Sequence, residues 1–261
     1  MELRTIRATQ YVTPLREGGS LPAIVAADDL GLYVLKFRGA GQGPMALVAE
    51  LVAGEIGRAL GLNVPELVLA ELDPALGRNE PDQEIRDLLK ASAGLNLALD
   101  YLPGSTMFDP AAGDAPDAKT ASLGVWFDAL TMNVDRTPRN ANLLCWHGEL
   151  YFIDHGAALY VHHDWPTMLE RAESPFQQSR SHVLLPWASE LAAVEEEAKL
   201  RLTLEKIAGI LAAIPDRWLE REGDGLSSEE KRRVYADFFA RRLAASAGFR
   251  EEAERARTEL V

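Results

Sequence analysis

The sequence has a single cysteine, too few basic side chains to balance its acids, and no long apolar run. Cys145 alone forms no internal disulfide and supplies no second thiolate for a CxxC metal or redox site, so a reducing, cytoplasmic setting is expected. With 27 Lys and Arg against 40 Asp and Glu, the net charge of −13 gives no broad electropositive surface. Direct nucleic-acid binding and attachment to an anionic membrane are therefore not expected, and any phosphate must be met by a local group of residues. Nowhere do about 18 apolar residues run together. The first residues, Met1 to Arg7, contain no apolar leader core, so neither a membrane span nor a secretion signal is expected. Repeats of fixed period and low-complexity tracts are also missing, which excludes solenoids and propellers.

What remains is a chain of 261 residues, 47% hydrophobic, enough for one large domain or two lobes on a shared core. Ala23 to Ala27, the turn pair Asp28-Asp29, and Leu32 to Phe37 read as the two strands of a hairpin, with Lys36 on the second. Pro44 opens a helix in which Val48, Val52, Ile56, Ala59 and Leu60 share a face, and Gly61 closes it. Leu67 to Leu72 and Leu95 to Tyr101 read as further strands, separated by the polar stretch Asp73 to Gln83. Ala111 to Asp117 lacks periodicity and reads as an exposed loop. From there the pattern is mostly helical, interrupted by two apolar runs around residues 142 to 153. Trp187 to Ile214 and Ser228 to Leu260 carry helical charge patterning, the second preceded by a capping box of Ser227 and Glu230. A strand-rich first lobe and a helix-rich second lobe are expected, with Asp100 to Gly104 near their junction.

The densest polar information lies in Asn133-Val134-Asp135-Arg136-Thr137-Pro138-Arg139-Asn140-Ala141-Asn142. Leu143 to Trp146, the turn His147-Gly148-Glu149, and Leu150 to Ile153 then form a β-hairpin that leads into Asp154-His155-Gly156. A hairpin returns the end of its second strand to the start of its first, so Asn140 or Asn142 comes beside Asp154. One carboxylate and one amide oxygen make a hard oxygen site suited to Mg²⁺ and substrate phosphates. Asp135, from the same turn, is placed to orient or deprotonate a hydroxyl nucleophile. Asp-x-x-x-x-Asn, a hairpin, then Asp-x-Gly is the order of kinase catalytic and metal loops.

On these residues, with Lys36 in a strand and Glu50 in the next helix, the chain resembles the HipA-like kinases, within the wider superfamily of protein and phosphoinositide kinases. The resemblance implies an α+β, bilobal protein-kinase-like fold, with a strand-rich N-lobe at 1–102 making the nucleotide contacts. A mostly helical C-lobe at 103–261 would carry the catalytic and metal loops. It implies ATP and Mg²⁺: Asp135 as the catalytic acid/base, Asn140 and Asp154 as metal ligands, Lys36 on the α- and β-phosphates, and Glu50 paired with Lys36. Leu99 to Leu102, including Asp100 and Leu102, would be the hinge beside adenine. The phosphate loop would be Arg16-Glu17-Gly18-Gly19-Ser20, with Ser20 a site of autophosphorylation by the same analogy; Arg38 to Gly43 is a second candidate. The partner would be a hydroxyl-bearing acceptor, a serine or threonine of a protein or else a small-molecule alcohol. A nucleotide-binding pseudokinase or regulatory module is the alternative. Asn133 stands where many kinases have histidine, His155 where many have phenylalanine, and neither phosphate loop has the full Gly-x-Gly-x-x-Gly pattern.

Plainer readings compete at single positions. Glu55 competes with Glu50 as the partner of Lys36. His155, His162, His163 and Asp164 suggest a metallohydrolase, although no HExxH spacing occurs. Trp126, Trp146, Trp165, Trp187 and Trp218 read as packing residues, Cys145 as inert and buried, and Glu195 to Glu197 as a solvated helix face.

Overall fold

The computed structural model describes residues 3–15, 21–41, 43–78, 80–220 and 225–260. Five strands close into a barrel: β1 (Thr5–Pro14), β2 (Ala23–Ala27), β3 (Leu32–Lys36), β4 (Leu67–Leu72) and β5 (Gly94–Asp100), in the order β1-β2-β3-β5-β4. Parallel pairing of β1 with β4, Thr5 opposite Leu69 and Arg7 opposite Glu71, completes the ring. β1 escapes the sequence pattern because register shifts between Ala8 and Gln10, and between Tyr11 and Thr13, break its alternation. The interior is narrow, so Ala8, Ala23, Ala27, Ala70 and Ala98 share it with Val25, Tyr33, Leu35 and Val68. Side chains alternate along a strand, so Tyr33 and Leu35 pointing inward turn Lys36 outward.

That outer face is covered by α1 (Pro44–Leu60), which begins and ends where its sequence predicts. Gly43 caps it at φ 70°, and Gly61 ends it in the left-handed region at φ 93°, a conformation that favours glycine. α1 is buried on almost every side, between the barrel and the second lobe. α2 (Gln83–Ala91) follows the polar stretch and is not foreseen; Asp82 caps it, and only Ile85 and Leu89 are buried.

The second lobe contains a small sheet, β6 (Thr106–Met107), β7 (Leu143–Trp146) and β8 (Glu149–Phe152), in which Leu143 pairs with Phe152 and Cys145 with Leu150. The hairpin is the one the sequence predicts. The helices are α3 (Ala118–Thr131), α4 (Trp165–Met168), α5 (Leu191–Arg201), α6 (Leu204–Ala212), α7 (Asp216–Leu219), α8 (Ser228–Ala244) and α9 (Ser246–Leu260), with α5, α8 and α9 packed on α3. The capping box of Ser227 and Glu230 is formed at the start of α8. Both long helical segments are interrupted, the first where Thr203 caps α6 and the second at Ala245. A larger departure lies between His155 and Trp187, expected to be mostly helical. Short 3-10 turns and the four residues of α4 occupy it, because Pro166, Pro175 and Pro186 leave no room for a long helix. Trp126 and Trp218 are core residues. Cys145 is half-buried rather than enclosed; its Sγ lies 3.6 Å from Asp114 Oδ2 on a cavity of ≈ 380 Å³ lined also by Phe108 and Leu123.

One glycine sets how closely the hairpin approaches α3. A Cβ on Gly124 would lie 2.7 Å from Phe152 Cε1 and 3.1 Å from Leu184 Cδ1. Gly124→Ala is therefore expected to cost about 1–3 kcal/mol of stability by overpacking, read as a lower urea midpoint at unchanged slope. An unchanged midpoint would show that Phe152 yields freely.

Candidate active site

Lys36 leaves the barrel toward α1 and meets two carboxylates. Its Nζ lies 2.7 Å from Asp154 Oδ1 and 3.5 Å from Glu50 Oε2. Burial alone lowers a lysine pKa, but Glu50 and Asp154 outweigh it and hold the Lys36 ammonium above its ordinary value. Burial, with Asp154 adding to it, pushes the Glu50 carboxyl up despite Lys36. At Asp154 burial also opposes ionisation, yet Lys36 prevails and the pKa is lowered. Glu55 faces elsewhere, 3.6 Å from Arg58, so the geometry puts Glu50 and not Glu55 beside Lys36.

Asp135 sits in a loop that folds on itself. Thr137 and Asn140 form a bridge with reciprocal 3.0 Å backbone hydrogen bonds, which brings the end of the loop back over its start. Asn140 Nδ2 then donates to Asp135 Oδ2 at 2.7 Å, and Asn142 Nδ2 donates to the same oxygen at 3.3 Å. Asn142 also ties the two loops together, because its carbonyl accepts the Ile153 N–H at 3.1 Å, one residue before Asp154. Both asparagines therefore approach Asp135, and Asn142 supplies the backbone link to the Asp154 loop.

The donor set suits a hard divalent cation. Asn140 spends its NH₂ on Asp135 and keeps its amide oxygen, while Asp154 engages Lys36 through Oδ1 and uses Oδ2 in no hydrogen bond or ion pair among the described residues. Two such oxygens, with phosphate oxygens and water, match the preference of Mg²⁺.

Behind these loops lies a buried ionic group that local sequence pattern does not reveal. Arg136, 1% exposed, donates from Nε to Asp128 Oδ2 at 2.5 Å, from Nη1 to the carbonyls of Asn142 and Ile153, and from Nη2 to His155 Nδ1 at 3.1 Å. Burial opposes ionisation of Asp128, but Arg136 and His182 overcome it and bring its pKa down to about 2. Since a guanidinium only donates, His155 Nδ1 is an acceptor and its ring proton sits on Nε2. The available signal was Asp128 itself, the one acid in the apolar run Ala121 to Met132.

The remaining expected site residues are placed as follows. Asp100 ends β5 and is exposed, and Leu102 beyond it is buried. Gly18, Gly19 and Ser20 lie outside the described residues. In the second phosphate-loop candidate four N–H groups have partners: Arg38 on Asn96 Oδ1, Gly39 on Ser92 Oγ, Ala40 on the Phe37 carbonyl and Gly43 on that of Ala40.

Nor do the histidines gather as a metallohydrolase would need; among the described residues no three His, Cys, Asp or Glu side chains form a metal cluster. His155 faces Arg136, and His162 shares a 2.7 Å hydrogen bond with the Tyr235 hydroxyl. Burial brings the pKa of His162 from 6.5 down to about 3. A base with a depressed native pKa contributes stability that is fully present above its unfolded pKa and is lost as pH falls toward the native one. The stability advantage of the wild type over His162→Gln should therefore shrink by up to about 1.4 kcal/mol per pH unit below pH 6.5. Paired urea titrations between pH 7 and pH 5 check this, and a pH-independent difference would contradict it.

A family model described as HipA-like kinase matches residues 9–245. A search of curated proteins gives no match. Among solved structures, the Helicobacter pylori proinflammatory kinase CtkA superposes with a TM-score of 0.54 at 14% identity, covering 98% of each chain. The Golgi casein kinase gives a TM-score of 0.45 at 10% identity, over 98% of this chain and 75% of that one. The first likeness is one of fold, a bilobal kinase architecture with a strand-rich N-terminal part and a helical remainder. With the family match running from β1 to the end of α8, through both loops just described, the chain belongs to the HipA-like kinase family.

Proposed function

We propose that the chain binds Mg²⁺–ATP between its barrel and its helical lobe and transfers the γ-phosphoryl group to a hydroxyl, that of a serine or threonine on a protein. Residues 1–102 would provide the phosphate and adenine contacts, the latter at Asp100 to Leu102, and residues 103–261 the catalytic and metal loops. The observation that carries this reading is the meeting of two loops and a strand: Lys36 between Glu50 and Asp154, and Asn142 joining Asp135 to Ile153, the residue before Asp154. Asn140 and Asp154 would hold the divalent ion, which when bound neutralises phosphate charge and aligns the transferring group. Lys36, kept protonated by its two carboxylates, would hold the α- and β-phosphates, with Glu50 fixing its position. Asp135, turned by two amide donors, would orient the acceptor hydroxyl and take its proton.

Purified chain incubated with Mg²⁺, γ-labelled ATP and protein acceptors tests this directly. Label recovered as phosphoserine or phosphothreonine is the expected result. Label found only in small alcohols would move the acceptor to that class. Nucleotide binding without any transfer would make the chain a nucleotide-binding module.

A further inference from the structure

Asp128, in the last turn of α3, touches no part of the proposed reaction, yet the loops of the site hang on it. Its Oδ2 accepts from Arg136 Nε at 2.5 Å and from His182 Nε2 at 2.8 Å, and its Oδ1 accepts from Asn133 Nδ2 at 3.0 Å. His182 Nδ1 accepts the Leu184 N–H at 3.0 Å, so the ring proton lies on Nε2 and points at Asp128. The Val183 N–H donates to the Arg136 carbonyl at 3.1 Å. Through Arg136 the same carboxylate reaches Asn142, Ile153 and His155 on the Asp154 side. The segment from His155 to His182, built of short turns, thus departs from and returns to one buried acid.

On the phosphotransfer reading above, we infer that Asp128, acting through Arg136 and His182, is a positioning group that holds Asp154 in register with Asp135. Besides the β7–β8 hairpin and the Asn142 link, the two loops are joined through the Arg136 guanidinium, whose planar fork reaches several acceptors at once. An amide at 128 keeps the size of the side chain but loses the charge that pins the fork and turns an NH₂ toward one of its present donors. The Asp154 loop then loosens, and the metal it helps to hold is the first thing to suffer.

The test is Mg²⁺-dependent binding of a fluorescent ATP analogue to the full chain, in Asp128→Asn, His182→Ala and His182→Gln. The Mg²⁺ concentration for half-maximal binding should rise tenfold or more in Asp128→Asn and at least threefold in His182→Ala. His182→Gln, which keeps an N–H for Asp128, should stay within twofold of the wild type. Metal-free affinity for the analogue, measured in EDTA, should change by less than twofold in all three. If Asp128→Asn does not fold, the two His182 variants decide. An unchanged Mg²⁺ midpoint in folded Asp128→Asn or His182→Ala, or equal losses with and without metal, overturns the inference while leaving the phosphotransfer reading standing. A wild type that binds no nucleotide overturns that reading, and this inference with it.

Discussion

Asp135→Asn is expected to lower phosphoryl transfer by about 10²–10⁴-fold, the usual worth of a positioned general base, while nucleotide affinity stays within twofold. The substitution is nearly isosteric, and the surroundings dictate how the new amide sits. Asn140 and Asn142 both present NH₂ groups to Asp135 Oδ2. The amide oxygen must take that place, which turns its own NH₂ toward the position where a carboxylate oxygen would receive the hydroxyl proton. Loop geometry is kept and basicity is lost. Single-turnover measurements at saturating nucleotide check this, with calorimetric binding in parallel. Equal turnover in wild type and variant would remove Asp135 from the chemistry.

The second large effect is expected at Lys36. Lys36→Met removes the cation that lies against both Glu50 and Asp154, the first of them deeply buried. Stripping one partner from a buried pair costs about 3–5 kcal/mol, and solvent around the 39%-exposed Asp154 side chain should bring the loss to about 2–4. Glu50 bears most of it: its Oε1 has no hydrogen-bond partner among the described residues, and burial already pushes its carboxyl up. Adding Glu50→Gln to Lys36→Met should therefore recover part of the lost stability without recovering nucleotide affinity, which should fall at least tenfold in both. Urea unfolding and nucleotide titration read the two quantities separately. A double variant no more stable than the single one would show that the repulsion lies elsewhere.

The features legible in the sequence were those set by local periodicity and turn chemistry. α1 starts at Pro44 and stops at Gly61 because those residues impose the first and last turns. The hairpin from Leu143 to Phe152 follows from two apolar runs around a His-Gly turn, and it delivers Asp154 beside the asparagine loop. Bulges hid β1, and proline punctuation inside helix-like composition hid the turns between His155 and Trp187. α2 was missed because its two buried residues give too short an apolar face. Asp128 and His182 stand 54 positions apart, so no local pattern could announce their pairing. Arg136 was in plain view beside Asp135, but only the fold reveals that it points away from the cleft and into the core. Cys145 was expected to be buried because its neighbours are apolar, and the cavity beside it opens that side of the hairpin.

The most direct measurement is a crystal structure of the full chain with a non-hydrolysable ATP analogue and Mn²⁺ in place of Mg²⁺, the ion located by its anomalous signal. Mn²⁺ should be ligated by Asn140 Oδ1 and the Asp154 carboxylate, with Lys36 on the phosphates and Asp135 facing the γ-phosphate. An ion bound away from Asp154, or an Asp135 carboxylate turned from the nucleotide, would contradict the account.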